Sequence, residues 1–420
     1  MMITDEDIKN FEKGPEVKLT IKGKTESYPS YRVPLDYLFF NNLNGRIATY
    51  IEENSNSIHP LKDPLSLTGT EREEYNDTIA RFIKASADDN GKSFEKTKSD
   101  IKEKGQQRPG VILRDGRVID GNRRFTCLRE LKEETGDRRY GYFECVILDI
   151  PKTKDEWQTI KVLELNLQFN VDEKKDYNPI DFLASFYKDT RDETNPNRLD
   201  RQTYCHAYGR KGSTYNEKEQ IVNIRLDYLE WRNSPKAFYL LKKEKLDGPI
   251  EEVAKKVRKW SEDEWNDKKD TIYKYRTFSD SGDRTRNIRE LLKSASEGGI
   301  LYQRVDDAVV NSPMDKAMDC VDSKPATVDE STIKENNLSE VRQILNDATV
   351  KGVREEKAKK FDDAPKEALS KLRMDLDRIE PFQINRLEDG RKKEVLDLIK
   401  QLKEKLDKLE KDCLDDEDVA

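Results

Sequence analysis

The sequence predicts an α+β N-terminal domain followed by an all-α part that ends in a helical hairpin or coiled coil. Three observations carry this. Short apolar runs with strand-like alternation lie before about Asn170, as in Val17-Lys-Leu-Thr-Ile-Lys22 and Phe143/Cys145/Ile147. Beyond that point the pattern is helical. Near the end, apolar residues recur at spacings of three and four. The expected divisions are residues 1–170, a helical region 171–311, a polar linker 312–332 and a helical region 333–420.

In order, Val17 to Pro34 reads as strands leading into a short polar segment, Asn41-Asn-Leu-Asn-Gly-Arg46. Glu71 to Ala87 reads as a helix with Tyr75, Ile79, Phe82 and Ile83 on one face, and Phe94 to Lys104 as a helix capped by Gly105. Val111-Ile-Leu113 and Val118-Ile119 flank Asp115-Gly116, a dipeptide suited to a tight hairpin. A helix with Phe125, Leu128 and Leu131 follows, then a strand from Tyr140 to Ile150 and a helix from Glu156 to Gln168. Asn178-Pro-Ile-Asp starts another helix. Gln202 to Tyr208, Gly209-Arg-Lys-Gly-Ser-Thr and Glu217 to Trp231 read as helix, turn, helix, with further helices from Pro235 to Trp260. Leu369, Leu372, Leu376 and Ile379 precede Pro381. Val395, Ile399, Leu402, Leu406, Leu409 and Cys413 then form a heptad seam. That seam fits one arm of an intrachain hairpin, since Pro381 separates two such helices, or a dimer zipper. Asp415 to Asp418 reads as a frayed acidic tail.

Composition narrows the function. Charged residues make up 39% of the chain, against roughly 25% in ordinary soluble proteins. No apolar run approaches the roughly 20 residues of a membrane span, and Met1 opens into polar sequence, so a cytoplasmic protein is expected. Five widely separated cysteines and two histidines, His59 and His206, support neither a disulfide framework nor a zinc site. The formal net charge of -7 requires any DNA contact to be local.

The most informative stretch is Gly105 to Arg124. Its second apolar run ends in Asp120-Gly-Asn-Arg-Arg124 and hands over to a helix start. Free backbone N–H groups, the helix dipole and two guanidinium groups then favour the same anion, such as a polyphosphate or phosphodiester. For an isolated tetrapeptide of this kind, a hairpin followed by a solvated arginine pair is the simpler reading.

With these residues in place the chain resembles the ParB/sulfiredoxin superfamily, in its ParB-like branch. Asn41 to Arg46 is similar to the family's first box, Asn-Pro-x-Gln-Pro-Arg, keeping its outer Asn and Arg. Gly105 to Arg124 is similar to the second, with Asp-Gly-Asn-Arg-Arg where Gly-Glu-Arg-Arg is usual. Leu165-Asn-Leu-Gln168 followed by Asn178-Pro-Ile-Asp181 is similar to the third. The resemblance spans roughly Tyr31 to Tyr187, with an insertion at about 50–92. It implies that CTP or another NTP binds with Mg2+. Gly121, Asn122, Arg123 and Arg124 would lie at the phosphates, with Asn166, Gln168, Asn41, Arg46 and Arg108 completing the pocket. Leu165 and Asn122 stand where the family carries acids, which weakens a magnesium site and favours binding over hydrolysis. Asn122 also occupies the sulfiredoxin cysteine position, and Cys127, among Phe125 and Leu128, reads as a buried hydrophobe. Sulfiredoxin chemistry is excluded.

The resemblance places a DNA-reading helix-turn-helix at residues 200–231. Arg201, Arg210, Lys211, Ser213 and Thr214, with His206 and Tyr215 nearby, would meet double-stranded DNA. An ordinary helical hairpin fits the same residues. Three functions follow. The first is a DNA-associated protein with a nucleotide switch, working as a homodimer or with a partner protein through the C-terminal helices. The second is a nuclease or phosphotransferase with Asp120, Glu130 or Glu164 as its acid. The third is an interaction scaffold with a vestigial pocket.

Overall fold

The computed structural model describes residues 2–21, 24–55, 61–86, 91–149, 156–169, 178–209, 212–279, 283–314, 317–319 and 338–415. Strands β1 (Glu12–Ile21), β2 (Lys24–Pro34), β3 (Phe39–Phe40), β4 (Gly110–Leu113), β5 (Arg117–Asp120) and β6 (Tyr142–Leu148) form one mixed sheet, ordered β1-β2-β6-β4-β5-β3. The β4–β5 hairpin turns at Asp115-Gly116. Asp115 Oδ1 accepts the Arg117 N–H at 2.9 Å, and Gly116 has φ +87°. A Cβ at Gly116 would lie 2.1 Å from the Tyr37 carbonyl oxygen, so a side chain is excluded there by space as well as by φ. β4 runs parallel to β6, and β3 runs parallel to β5 with Phe39 beside Arg117 and Phe40 beside Val118.

The central strands are buried on both faces, as a sheet with helices on each side requires. One face carries Ile112, Val118, Phe143 and Cys145. On it pack α3 (Gly69–Ala85), α4 (Lys92–Lys104) and α5 (Asn122–Thr135) through Tyr75, Ile79, Ile83, Phe94, Ile101, Phe125 and Leu128. The other face carries Val111, Leu113 and Ile119, covered by Ile160, Leu163 and Leu167 of α6 (Glu156–Phe169). Each of these fully buried aliphatic or aromatic side chains contributes about 1.5–3 kcal/mol. The segment expected as an insertion is therefore partly core: α3 supplies three of these side chains, and Asn76 fixes the short β3 by accepting the Phe40 N–H and donating to the Leu38 carbonyl.

Three short elements had no counterpart in the sequence reading, among them α2 (Ala48–Ser55). Another is β3. The third is α1 (Asp5–Asn10), which opens with a Thr4/Asp7 capping box. Otherwise the helices α7 (Pro179–Thr190), α8 (Arg201–Tyr208), α9 (Gly212–Trp231), α10 (Phe238–Lys243) and α11 (Asp247–Val257) fall within the expected regions. Three more follow past Trp260: α12 (Glu262–Phe278), α13 (Arg284–Glu297) and α14 (Ile300–Val310). They bury Trp265, Ile272, Tyr273, Phe278, Ile288, Leu291 and Val305. The chain is thus an α+β part followed by a mostly helical part, and no described helix is long and apolar enough to cross a membrane.

Contacts divide the chain into Met1–Thr349 and Val350–Ala420. Residues on both sides of position 170 belong to the first unit. Asp181 of α7 accepts from the backbone N–H and hydroxyl of Thr49 and pairs with Lys242, while Glu52 of α2 accepts the Phe238 N–H at 2.8 Å. Most of the expected linker, 320–332, lies outside the described residues. Helix α15 (Ser339–Leu376) carries Pro365 in its interior; the short α16 (Pro381–Asn385) and α17 (Asp389–Asp415) follow. Leu369, Leu376 and Ile379 of the first apolar run are exposed, as are Ile399, Leu402, Leu406 and Leu409 of the second. The acidic tail beyond Asp415 lies outside the described residues.

Candidate functional site

β5 delivers its last residue, Asp120, to Gly121, which has φ +94° and caps α5 without a side-chain bond. A Cβ at Gly121 would lie 2.8 Å from Phe143 Cζ and 3.0 Å from Arg124 Nη2, so the backbone passes against the core at this point. Asp120 is not the helix cap. Its carboxylate instead pairs with Arg124 one turn later at 3.1 Å. Arg124 also donates to the carbonyls of Arg108 and Pro109, closing the loop before β4 onto the start of α5. Burial lowers the Arg124 pKa, Asp120 opposes this, and the nearby charge of Arg108 adds to the lowering. Arg123 is half-buried and makes no hydrogen bond or ion pair with a described residue. Arg108 is exposed. Three guanidinium groups thus surround the α5 N-terminus with one carboxylate among them, a local excess of positive charge.

Two amide side chains lie at the same end of the sheet. β3 and β5 are parallel, so Asn41 leaves β3 on the side where Asp120 leaves β5. Asn41 is 1% exposed. Its Oδ1 accepts the Leu43 N–H, and its Nδ2 has no partner. Asn122 is also buried, with Nδ2 3.5 Å from the Ile119 carbonyl oxygen and Oδ1 without a partner. Buried amides are normally satisfied. These unmet donors and acceptors sit where the carboxyl ends of parallel strands commonly receive ligands.

The first and third boxes meet through Glu164 and Lys161. Glu164 Oε1 accepts the Gly45 N–H at 3.1 Å, and Lys161 Nζ donates to the Leu43 carbonyl at 2.9 Å. Lys161 is also within 3.1 Å of both Glu164 and Asp189 and 3.2 Å of Ser185 Oγ. Burial works against the Lys161 charge, but Asp189 and Glu164 outweigh it and raise its pKa; burial raises Glu164 as well. This network borders a cavity of about 80 Å³ with Asn42, Asn44, Trp157 and Asn197 among its walls. Lys161, Ser185 and Asp189 were absent from the sequence-derived site. The available signal was a lysine inside the apolar stripe Trp157/Ile160/Leu163 with an acid three residues on.

The remaining candidates are placed as follows. Glu130 faces a charged groove of about 710 Å³ between α3 and α5, where Lys98 and Lys84 hold it at 2.7 and 3.0 Å. Burial pushes its carboxyl up, and the two lysines more than reverse this, leaving it below the ordinary range. Asn44 Oδ1 accepts the backbone N–H of Arg46 at 3.1 Å, within the turn after β3. Asn166 and Leu165 are both buried in α6. The side chain of Gln168 lies outside the described residues.

Farther along, Arg201 donates to the Gly212 carbonyl at 3.1 Å and lies over the Tyr215 ring, tying α8 to the start of α9. Ser213 and His206 are exposed and Thr214 is half-buried, whereas Arg210 and Lys211 lie outside the described residues. Tyr204 of α8 and Tyr215 of α9 both pack on Phe186 of α7, with ring centroids 5.2 and 5.0 Å from it.

Asp120 is held by Arg124, and Glu164 by Lys161 and the Gly45 N–H. Compared with known proteins, the chain matches no family model and no curated relative.

Proposed function

We propose that the protein is a ParB-like, DNA-associated protein that binds a nucleotide of CTP type through the turn Asp120–Arg124. The observation that carries this reading is the uncommitted Arg123 beside the α5 N-terminus, backed by Arg108 and Arg124 and by the unmet amide groups of Asn41 and Asn122. A phosphate chain would be met by backbone N–H groups, a helix dipole and guanidinium donors together. Asp120, Glu130 and Glu164 are each held by a cation. A general base needs a free acceptor near the reacting atom, so the site is read as binding and not as nuclease or phosphotransferase.

DNA is assigned to the end of α8 and the start of α9, on the support of the exposed Ser213 and His206 and the Arg201-braced α9 N-terminus. Nucleotide occupancy at α5 would act as the switch, through α6, which packs between the sheet and α8.

The test is equilibrium binding of labelled CTP, ATP, GTP and UTP, with and without magnesium and double-stranded DNA. Arg123→Ala should weaken binding at least tenfold while leaving the fold unchanged. Absence of binding for every nucleotide in every condition overturns the proposal. Release of nucleoside diphosphate or cleaved DNA would replace it with the enzymatic reading.

A further inference from the structure

The cavity of about 80 Å³ beside Lys161 is walled by the turn after β3, α2, α6, α7 and the loop that follows α7. Its lining is chemically divided. Leu43, Ala48, Ile51 and Trp157 supply apolar surface, while Asn42 and Asp189 supply open acceptors. Asn42 Oδ1 is buried without a partner. Asp189 is 7% exposed, and its Oδ2 takes the Ser185 hydroxyl at 2.9 Å and Lys161 at 3.1 Å. Its Oδ1 accepts from no described residue. The donor side, by contrast, is used up. Lys161 Nζ faces Leu43 O, Glu164, Asp189 and Ser185 within 3.2 Å, more acceptors than an ammonium has protons. With both acids ionised, Lys161, Glu164 and Asp189 together are one positive charge short. A ligand seated here must therefore donate hydrogen bonds and bring positive charge. Lys188 lines the same cavity, is exposed, and makes no ion pair with a described residue.

We propose that this cavity binds a small α-amino acid. Its ammonium group is taken by Asp189 and Asn42, its side chain lies against Leu43, Ala48, Ile51 and Trp157, and its carboxylate is turned toward Lys188. Size agrees with this. A cavity of about 150 Å³ takes benzene, so one of about 80 Å³ takes the few heavy atoms of glycine, alanine or serine. A purely structural role for the cluster accounts for Lys161, Glu164 and Ser185, which satisfy one another, but leaves the Asn42 oxygen unmet, and buried amides are normally bonded. A simple anion would face the acceptors of Asp189 and Asn42. No catalysis is assigned, because Ser185 already donates to Asp189 and Lys161 is protonated and engaged. Asn195 and Asn197, in the loop leading into α8, also line the cavity, so an occupant would fasten that loop to the turn after β3 and to α6. The lining includes no residue of the turn Asp120–Arg124, and the inference does not rest on nucleotide binding.

The experiment is calorimetric titration of the full chain with glycine, alanine and serine. Propionate and ethylamine serve as controls, since each is alanine lacking one of its two charged groups. At least one amino acid should bind one to one, and about tenfold or more tighter than either control. Asn42→Ala should weaken both the amino acid and ethylamine by about tenfold. Lys188→Ala should weaken the amino acid to the level of ethylamine and leave ethylamine unchanged. Neither side chain is hydrogen-bonded to a described residue, so without ligand both variants should melt within about 2 °C of wild type. Saturating CTP should not displace the amino acid. Absence of binding by all three amino acids at about 10 mM overturns the inference. Ethylamine or propionate binding as tightly as alanine overturns the amino-acid assignment, as does full affinity in both variants. Displacement by CTP overturns the separateness of the site.

Discussion

The carboxylate of Glu164 accepts the backbone N–H of Gly45 at 3.1 Å, joining two segments 119 residues apart. Lys161 completes the junction by donating to the carbonyl of Leu43 while pairing with Glu164 and Asp189. A residue that the sequence offers as a base or metal ligand is thereby a clamp between the end of β3 and α6. Lys161→Ala leaves two buried carboxylates without their cation and should destabilise the fold by about 3–5 kcal/mol. Lys161→Met combined with Glu164→Gln removes charge from both sides of one pair and should recover a substantial part of that loss. Urea denaturation of the three proteins checks this. Equal stability of Lys161→Ala and wild type would refute the clamp.

Glu52 gives the fold a pH dependence. Burial pushes its carboxyl up to about 8, against the Phe238 N–H and the Lys188 charge, with Asp181 and Glu53 adding to the rise. The ordinary value is 4.5. Below that, folded and unfolded chains both carry the proton. Between 4.5 and about 8 the unfolded chain has lost it while the folded chain keeps it, so stability falls as pH rises, by up to about 1.4 kcal/mol per pH unit, and levels off above. Glu52→Gln stays neutral and can still accept from Phe238. The variant should match wild type near pH 4 and gain on it steadily to about pH 8. A stability difference that is flat across this range would show that Glu52 ionises freely in the folded state.

Arg123 and Arg124 are neighbours in sequence with different work to do. Arg124 is bound to Asp120 and to the carbonyls of Arg108 and Pro109, so Arg124→Ala frees the loop before β4 and should lower the melting temperature by several degrees. Arg123 has no such partner, and Arg123→Ala should leave the melt within about 1 °C of wild type. Under the proposed function both variants lose nucleotide, the first through structure and the second through contact. A melt that drops equally in both would remove Arg123 as the uncommitted cation.

The parts of this fold that were legible were those specified locally. Asp115-Gly116 between two apolar runs sets the hairpin, and the spacing of Phe125, Leu128 and Leu131 sets α5. The two-residue β3 escaped because its strand character comes from Asn76 and from pairing with β5, neither of which is near in sequence. Helices α12 to α14 escaped because their buried residues are interleaved with charge. Even Arg276 of α12 is buried, as are Arg225 of α9 and Arg232 just after it, Arg232 paired with Glu244 at 2.7 Å. At the candidate site, the arginine turn was visible as a motif. The Lys161–Asp189–Ser185 network was not, since its members become neighbours only when α6 and α7 pack. The engagement of Asp120 was equally hidden: the sequence shows an acid before a glycine, and the structure shows that acid paired with Arg124.

The cysteines offer a test of which surfaces are closed. Cys127 is 0% exposed on α5, and burial, with Glu130 adding to it, pushes its thiol up to about 12 against the charges of Lys98 and Arg123. Cys145, on β6, is driven well above the ordinary range by burial and Glu144. Thiolate is the reactive form, so both should resist a thiol reagent at pH 8 in the native protein and react only on unfolding. Cys413 on α17 is exposed and should react within the mixing time of the free chain. Reaction counted against time in native buffer, then in denaturant, separates these classes. If Cys127 reacts as fast as Cys413 in native buffer, the packing of α4 and α5 over the sheet is wrong.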